Sequence, residues 1–131
     1  MAIEKHAENH GVPWEKEYGY SQAIKVDSTI YLSGQVSHDD KGDIVGEGNM
    51  EAQMRQVYSN VKKILSRYGA AMNNVVDEIV FVTDMDAAMA ARSKLQHEVY
   101  SGMIPPASTI VQIQRLAFPV FMVEIRTTAR V

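Results

Sequence analysis

The spacing of apolar residues alternates along this chain between a period of two and a period near 3.6, and this restricts the fold more than any other feature. From Met50 onward, Met54, Val57, Tyr58, Val61, Ile64, Leu65 and Tyr68 recur at helical spacing. Asn49 stands where an N-cap is wanted and Gly69 where a helix stops. A second, weaker helix is expected from about Asp86 to Tyr100, with Met89, Leu95 and Val99 on one side; Gly102, Pro105 and Pro106 forbid its continuation. Strand-like runs surround both. YSQAIKV and TIYLSGQV flank Asp27 and Ser28 as the arms of a hairpin, and STIVQIQ and VFMVEIRTTA close the chain. In VVDEIVFVTDM, the run Ile79, Val80, Phe81, Val82 suits a strand covered on both faces. The order ββαβαββ predicts an α+β fold, a two-layer sandwich with two helices on one face of a mixed sheet. With 131 residues, 46% of them hydrophobic, and no internal repeat or linker, residues 1–131 are expected to form a single domain.

Two helices cover only one face of such a sheet. In VFMVEIRTTARV, Phe121, Val123 and Ile125 point one way, and Val120, Met122, Glu124 and Arg126 the other. If the aliphatic set meets the helices, Glu124 lies on the bare face, which is too apolar for the surface of a monomer and too polar for a closed core. Packing the sheets of neighbouring subunits together resolves this and places Glu124 near a subunit boundary. An ionised glutamate is rarely buried without a partner, so Glu124 either escapes to solvent or has a chemical role. By sequence its nearest cation is Arg126, roughly 7 Å along the same face.

Several functional classes are set aside by composition. A net charge of −3 with no run of Lys or Arg leaves no footprint for nucleic acid or an anionic membrane. The polar N-terminal segment lacks an apolar signal core, and no stretch approaches the length of a membrane span. The absence of cysteine removes disulfides and thiolate chemistry and fits a reducing compartment, so the cytoplasm is expected. No metal site is expected: His6 and His10 are spaced i, i+4 without a third ligand, and His38 and His97 stand alone. HDDKGD lacks the ligand spacing of a calcium loop and is expected to be a turn. Gly46 and Gly48 are expected to be loop glycines, and the eight methionines core filler.

A set of short motifs then carries a resemblance. YSQA at Tyr20–Ala23, YLSGQV at Tyr31–Val36, the helix ending in glycine before VVDEIVFVTDM, PPA at Pro105–Ala107, QRL at Gln114–Leu116 and VEI at Val123–Ile125 occur in order over nearly the whole chain. Together they resemble the Rid family, the reactive-intermediate deaminases also called the YjgF family. The resemblance implies a fold similar to chorismate mutase of the Bacillus type, a homotrimer, and a small-molecule ligand held in clefts between subunits. It further implies hydrolysis of enamines and imines to ammonia and a 2-keto acid, with no metal or organic cofactor. Carried over by residue, Tyr20 would line the cleft, Ser33 and Gly34 would offer groups to the ligand, and Glu124 would orient or activate water.

The departure from the family pattern falls at PPASTIVQIQRL. Deaminating members have PAR followed by small polar residues, and that arginine forks onto the substrate carboxylate. Here Ser108 stands in its place, or, with a one-residue slip, Ser108 and Thr109 follow a deleted arginine; both are carried as substrate-contacting positions. A bidentate arginine gives two charge-assisted hydrogen bonds of about 1.5–3 kcal/mol each, so its loss should weaken carboxylate recognition by roughly two to four orders of magnitude. Two functions from different classes stay open. One is an imine or enamine deaminase with an altered substrate; the other is a non-catalytic trimer that binds a small metabolite. A ribonuclease, another name given to relatives, fits the acidic balance least.

Overall fold

The computed structural model describes the whole chain, Met1–Val131. The helix with the strongest period forms as α2, Met50–Ser66, and the Asn49 side chain accepts the Ala52 N–H at 3.0 Å to cap it. Its inward stripe of Met54, Val57, Val61, Ile64 and Leu65 is almost fully buried. That stripe packs on the sheet residues Ile30, Leu32, Val80, Val82, Val123, Ile125 and Ala129, which form one core with it. The other long helix, α3, spans Met85–Val99 and is capped by the Asp84 side chain on the Ala87 N–H.

Six strands make one sheet: β1 His6–Glu8, β2 Ala23–Val26, β3 Thr29–Leu32, β4 Val75–Val82, β5 Ala107–Gln112 and β6 Val123–Arg130. Their order is β1-β2-β3-β6-β4-β5, with β4 and β5 parallel and the other pairs antiparallel. The hairpin turn between β2 and β3 sits at Asp27 and Ser28, with Asp27 at φ 51°. HDDKGD is a turn closed by a His38–Ile44 bridge, in which Asp39 accepts the N–H groups of Lys41 and Asp43.

Several sequence expectations need correction. The N-terminal segment is not featureless: it contributes β1 at the sheet edge and a short helix α1, Pro13–Tyr18, which starts on proline and stops at Gly19 in the left-handed region. Three and six residues are too few to display a period. The last strand begins at Val123 rather than Val120, because Phe118–Phe121 forms a turn. In α3 the inward residues are Ala88, Ala91 and Leu95, while Met89 is 50% exposed. In β4, Val80 and Val82 are buried, but Ile79 and Phe81 are only half-buried, since both helices lie on one side.

Register shows which residues share the uncovered face. Phe81 lies opposite Glu124 and Ile79 opposite Arg126, with Thr109 beside Ile79 on β5 and Tyr31 opposite Thr128 on β3. No helix is long and apolar enough to cross a membrane. Two substitutions separate the contributions of packing and capping. Ile125→Ala should lower unfolding free energy by about 2–5 kcal/mol, and Asn49→Ala by only about 1 kcal/mol; denaturant titration checks both values and their order.

Candidate active site

Glu124 is half-buried on the uncovered face, on the wall between two clefts. Its carboxylate accepts no hydrogen bond from the protein and makes no ion pair with Arg126, which is exposed on the same face. Burial alone pushes its pKa above the ordinary glutamate value. The carboxylate lies directly over Gly34: a Cβ there would stand 2.5 Å from both Cδ and Oε2 of Glu124. A residue with a Cβ at this position would therefore have to displace the Glu124 carboxylate.

The segment carrying Gly34 is held by neighbours on either side. Gln35 pairs with Ile125 through two backbone hydrogen bonds of 2.8 and 3.0 Å, which ties residues 33–35 to β6 beside Glu124. The Gln35 side chain is buried; its Nε2 donates to Gln22 Oε1 and to the Ser33 carbonyl, and its Oε1 lies 2.7 Å from His10 Nε2. Burial pulls the His10 pKa below its ordinary value, which suits a neutral ring donating to Gln35. Ser33 donates its hydroxyl to the Ser21 carbonyl at 2.7 Å and its N–H to the Gln22 carbonyl. The Gly34 N–H has no acceptor within the protein.

Of the residues singled out by sequence, Tyr20, Ser33, Gly34 and Glu124 line one cleft of about 320 Å³. The remaining lining is apolar and aromatic: Trp14, Tyr18, Val36, Ala117, Phe118 and Phe121. Trp14 meets Phe118 edge-on at 6.3 Å, and His38 at 5.1 Å. Tyr20 is 38% exposed and its hydroxyl is held above the usual tyrosine pKa, first by burial and then by the charge of Glu15. Sequence reasoning missed this aromatic wall, although a lone tryptophan in a polar segment was a signal for it.

Ser108 and Thr109 line neither cleft beside Glu124. Their side chains leave β5 on opposite sides. Thr109 shares the uncovered face with Arg126, separated from it by β4. Ser108 lies beside Glu78 on the helix side, where its hydroxyl accepts a 2.7 Å hydrogen bond from Arg92 of α3. The guanidinium absent from position 108 in sequence is thus supplied to its hydroxyl from α3, but on the side of the sheet away from Glu124.

A half-buried carboxylate, a glycine beneath it and an aromatic wall line a cleft on the uncovered side of a one-sided sheet. Residues 14–131 match the family model described as Endoribonuclease L-PSP. The chain belongs to this family, also called YjgF or Rid. It is 36% identical over 97 residues to a RutC family protein of Sulfurisphaera tokodaii, covering 74% of this chain and 76% of that one. It is 40% identical over 67 residues to the 2-iminobutanoate/2-iminopropanoate deaminase of Mus musculus, covering 51% of this chain and 50% of the mouse protein. Among solved structures, a Rid family protein from Yersinia pestis superposes with a TM-score of 0.87 at 28% identity, covering 98% of this chain and 100% of its own.

Two measurements test the Gly34–Glu124 contact. Gly34→Ala should fold but drive the carboxylate toward solvent, moving the Glu124 pKa back toward the ordinary range in a carboxyl ¹³C NMR titration. Because the folded-state pKa of Glu124 is raised, its contribution to stability is present below the unfolded value and is lost as pH rises through the folded value. Glu124→Gln should abolish that fall, so at neutral pH the variant should melt at the wild-type temperature or slightly above it. A clear drop would assign Glu124 a structural ion pair instead.

Proposed function

We propose that this chain is a hydrolytic deaminase acting on an imine or enamine whose body is apolar rather than a short imino acid. The carrying observation is the unpaired, half-buried carboxylate of Glu124, set against Gly34 inside a cleft walled by Trp14, Tyr20, Phe118 and Phe121. Such a carboxylate is a stronger base than an exposed one and keeps both oxygens free for water. Two relatives, from Mus musculus and Dermatophagoides farinae, are 2-iminobutanoate/2-iminopropanoate deaminases, which supports the reaction class.

In this reading a water molecule sits between the Glu124 carboxylate and the Gly34 N–H. An enamine first tautomerises to its imine, gaining a proton on carbon and losing one from nitrogen. Glu124 takes a proton from the water as its oxygen bonds to the C=N carbon, and passes that proton to the nitrogen as the nitrogen receives the C=N electron pair. In the resulting carbinolamine, Glu124 takes the hydroxyl proton and delivers it to the nitrogen, the C–N electron pair leaves with ammonia, and the carbon becomes a carbonyl. Tyr20 and the aromatic wall hold the substrate and keep bulk water away from its apolar part. Needing no cofactor, the reaction depends on placement and on the base.

The assembly is proposed to be a homotrimer, its ligand cleft closed by a neighbouring copy, in keeping with a cytoplasmic setting. Ile24, Tyr31, Ile79, Phe81 and Val111 all remain at least partly exposed on the uncovered face, and packing three sheets inward would cover them. Light scattering at micromolar concentration should give three times the chain mass; a monomer would overturn the assembly.

Freshly generated imines and enamines with and without carboxylates, followed by ammonia release, test the activity. Turnover should be greater for apolar substrates than for 2-iminopropanoate, and Glu124→Gln should abolish it while the oligomer persists. The acid limb of the rate profile should lie above the ordinary glutamate range, because the base form is required and burial raises its pKa. Full activity in a stable Glu124→Gln protein would remove the carboxylate from the chemistry. Saturable ligand binding without turnover on any substrate would establish the non-catalytic metabolite-binding reading.

A further inference from the structure

A second cavity lies on the other side of the sheet. It encloses about 200 Å³ between α2, α3 and the segment leading into β5. At its floor Glu78 is 1% exposed, an unusual position for a carboxylate in a strand whose other inward residues are Val80 and Val82. The Tyr58 hydroxyl donates to Glu78 Oε2 at 2.8 Å. No cation pairs with Glu78. The Tyr100 hydroxyl is buried close to the Glu78 carboxylate but outside hydrogen-bonding geometry. Beside Glu78 across the β4–β6 pairing, the buried Thr127 hydroxyl also lacks a partner. Arg92 lines the same cavity, and its guanidinium bonds only the neutral Ser108 hydroxyl, with no anion.

A buried carboxylate without a counter-charge is costly, and the part-exposed Arg92 guanidinium lining the same cavity has no anion to pair with. A single ligand carrying both opposite charges satisfies both. Met54, Leu95 and Val99 supply an apolar wall between them. We infer that this cavity is a binding site for a small aliphatic zwitterion of the α-amino-acid type. The ligand carboxylate would lie against Arg92, its ammonium against Glu78 and the Tyr100 hydroxyl, and its short side chain against Met54, Leu95 and Val99. The two positions face charges of opposite sign, so a molecule with only one of the two groups leaves one protein charge unpaired. This site is separate from the Glu124 cleft and does not depend on the proposed deaminase activity.

Three probes with the same hydrocarbon chain test it: L-2-aminobutyrate, butyrate and n-propylamine, titrated into the full chain and followed by ¹H–¹⁵N NMR. L-2-aminobutyrate should give saturable shifts at Tyr58, Glu78 and α3 in the millimolar range, and the two singly charged probes should bind at least about tenfold more weakly. Arg92→Met and Glu78→Gln should each weaken L-2-aminobutyrate by about tenfold or more, whereas Glu124→Gln should leave it unchanged. The inference is overturned by equal binding of all three probes, by no saturable shift with any of them, or by shifts confined to Tyr20, Gly34 and Glu124. Because the probe comparison is made on the wild-type chain, it decides the matter even if Glu78→Gln does not fold.

Discussion

The site depends on one close approach, the carboxylate of Glu124 over the bare backbone of Gly34. No residue with a Cβ fits at 34 while Glu124 keeps its place, and Glu124 keeps its place because β6 is fixed on both sides. On one side it pairs with β4; on the other, the two Gln35–Ile125 backbone hydrogen bonds bring in the segment after β3. The buried Gln35 side chain then joins that segment to Gln22 and His10, so the N-terminal region is anchored through the same residue that neighbours the site.

The layered arrangement gives the two sides of the sheet different tasks. Helices α2 and α3 close the core on one side, where Val80, Val82, Val123 and Ile125 are nearly inaccessible. The other side mixes Phe81, Ile79 and Tyr31 with Glu124 and Arg126, and within one chain nothing covers it. That is why Glu124 is desolvated enough to raise its pKa yet remains reachable from two clefts. The absence of an ion pair with Arg126 keeps the carboxylate available. Spacing along the strand put the two on one face but could not decide whether they would pair.

Elements with many residues in one period were legible in the sequence, and short or alanine-rich ones were not. Helix α2 announces itself because bulky side chains repeat over seventeen residues. The extent of α3 follows from its flanking residues, but its buried face is made largely of Ala88 and Ala91, which carry little hydrophobic signal, so Met89 was assigned to the wrong side. β1 and α1 are too short for any period. For the site, Glu124 stood out by its place between apolar strand residues and Tyr20, Ser33 and Gly34 came from the family resemblance, and all four fall in one cleft, whereas Ser108 and Thr109 diverge because adjacent residues of a strand face opposite sides. The Arg92–Ser108 bond spans sixteen residues from helix to strand and leaves no trace in local spacing.

The only tryptophan of the chain stands in the wall of the Glu124 cleft, edge-on to Phe118 and to His38. Any molecule entering that cleft displaces solvent from the indole. With six tyrosines and no second indole, emission excited at the red edge of the absorption band comes from this position alone. The fold therefore carries its own optical probe at the mouth of the site, and occupancy can be followed without attaching a label.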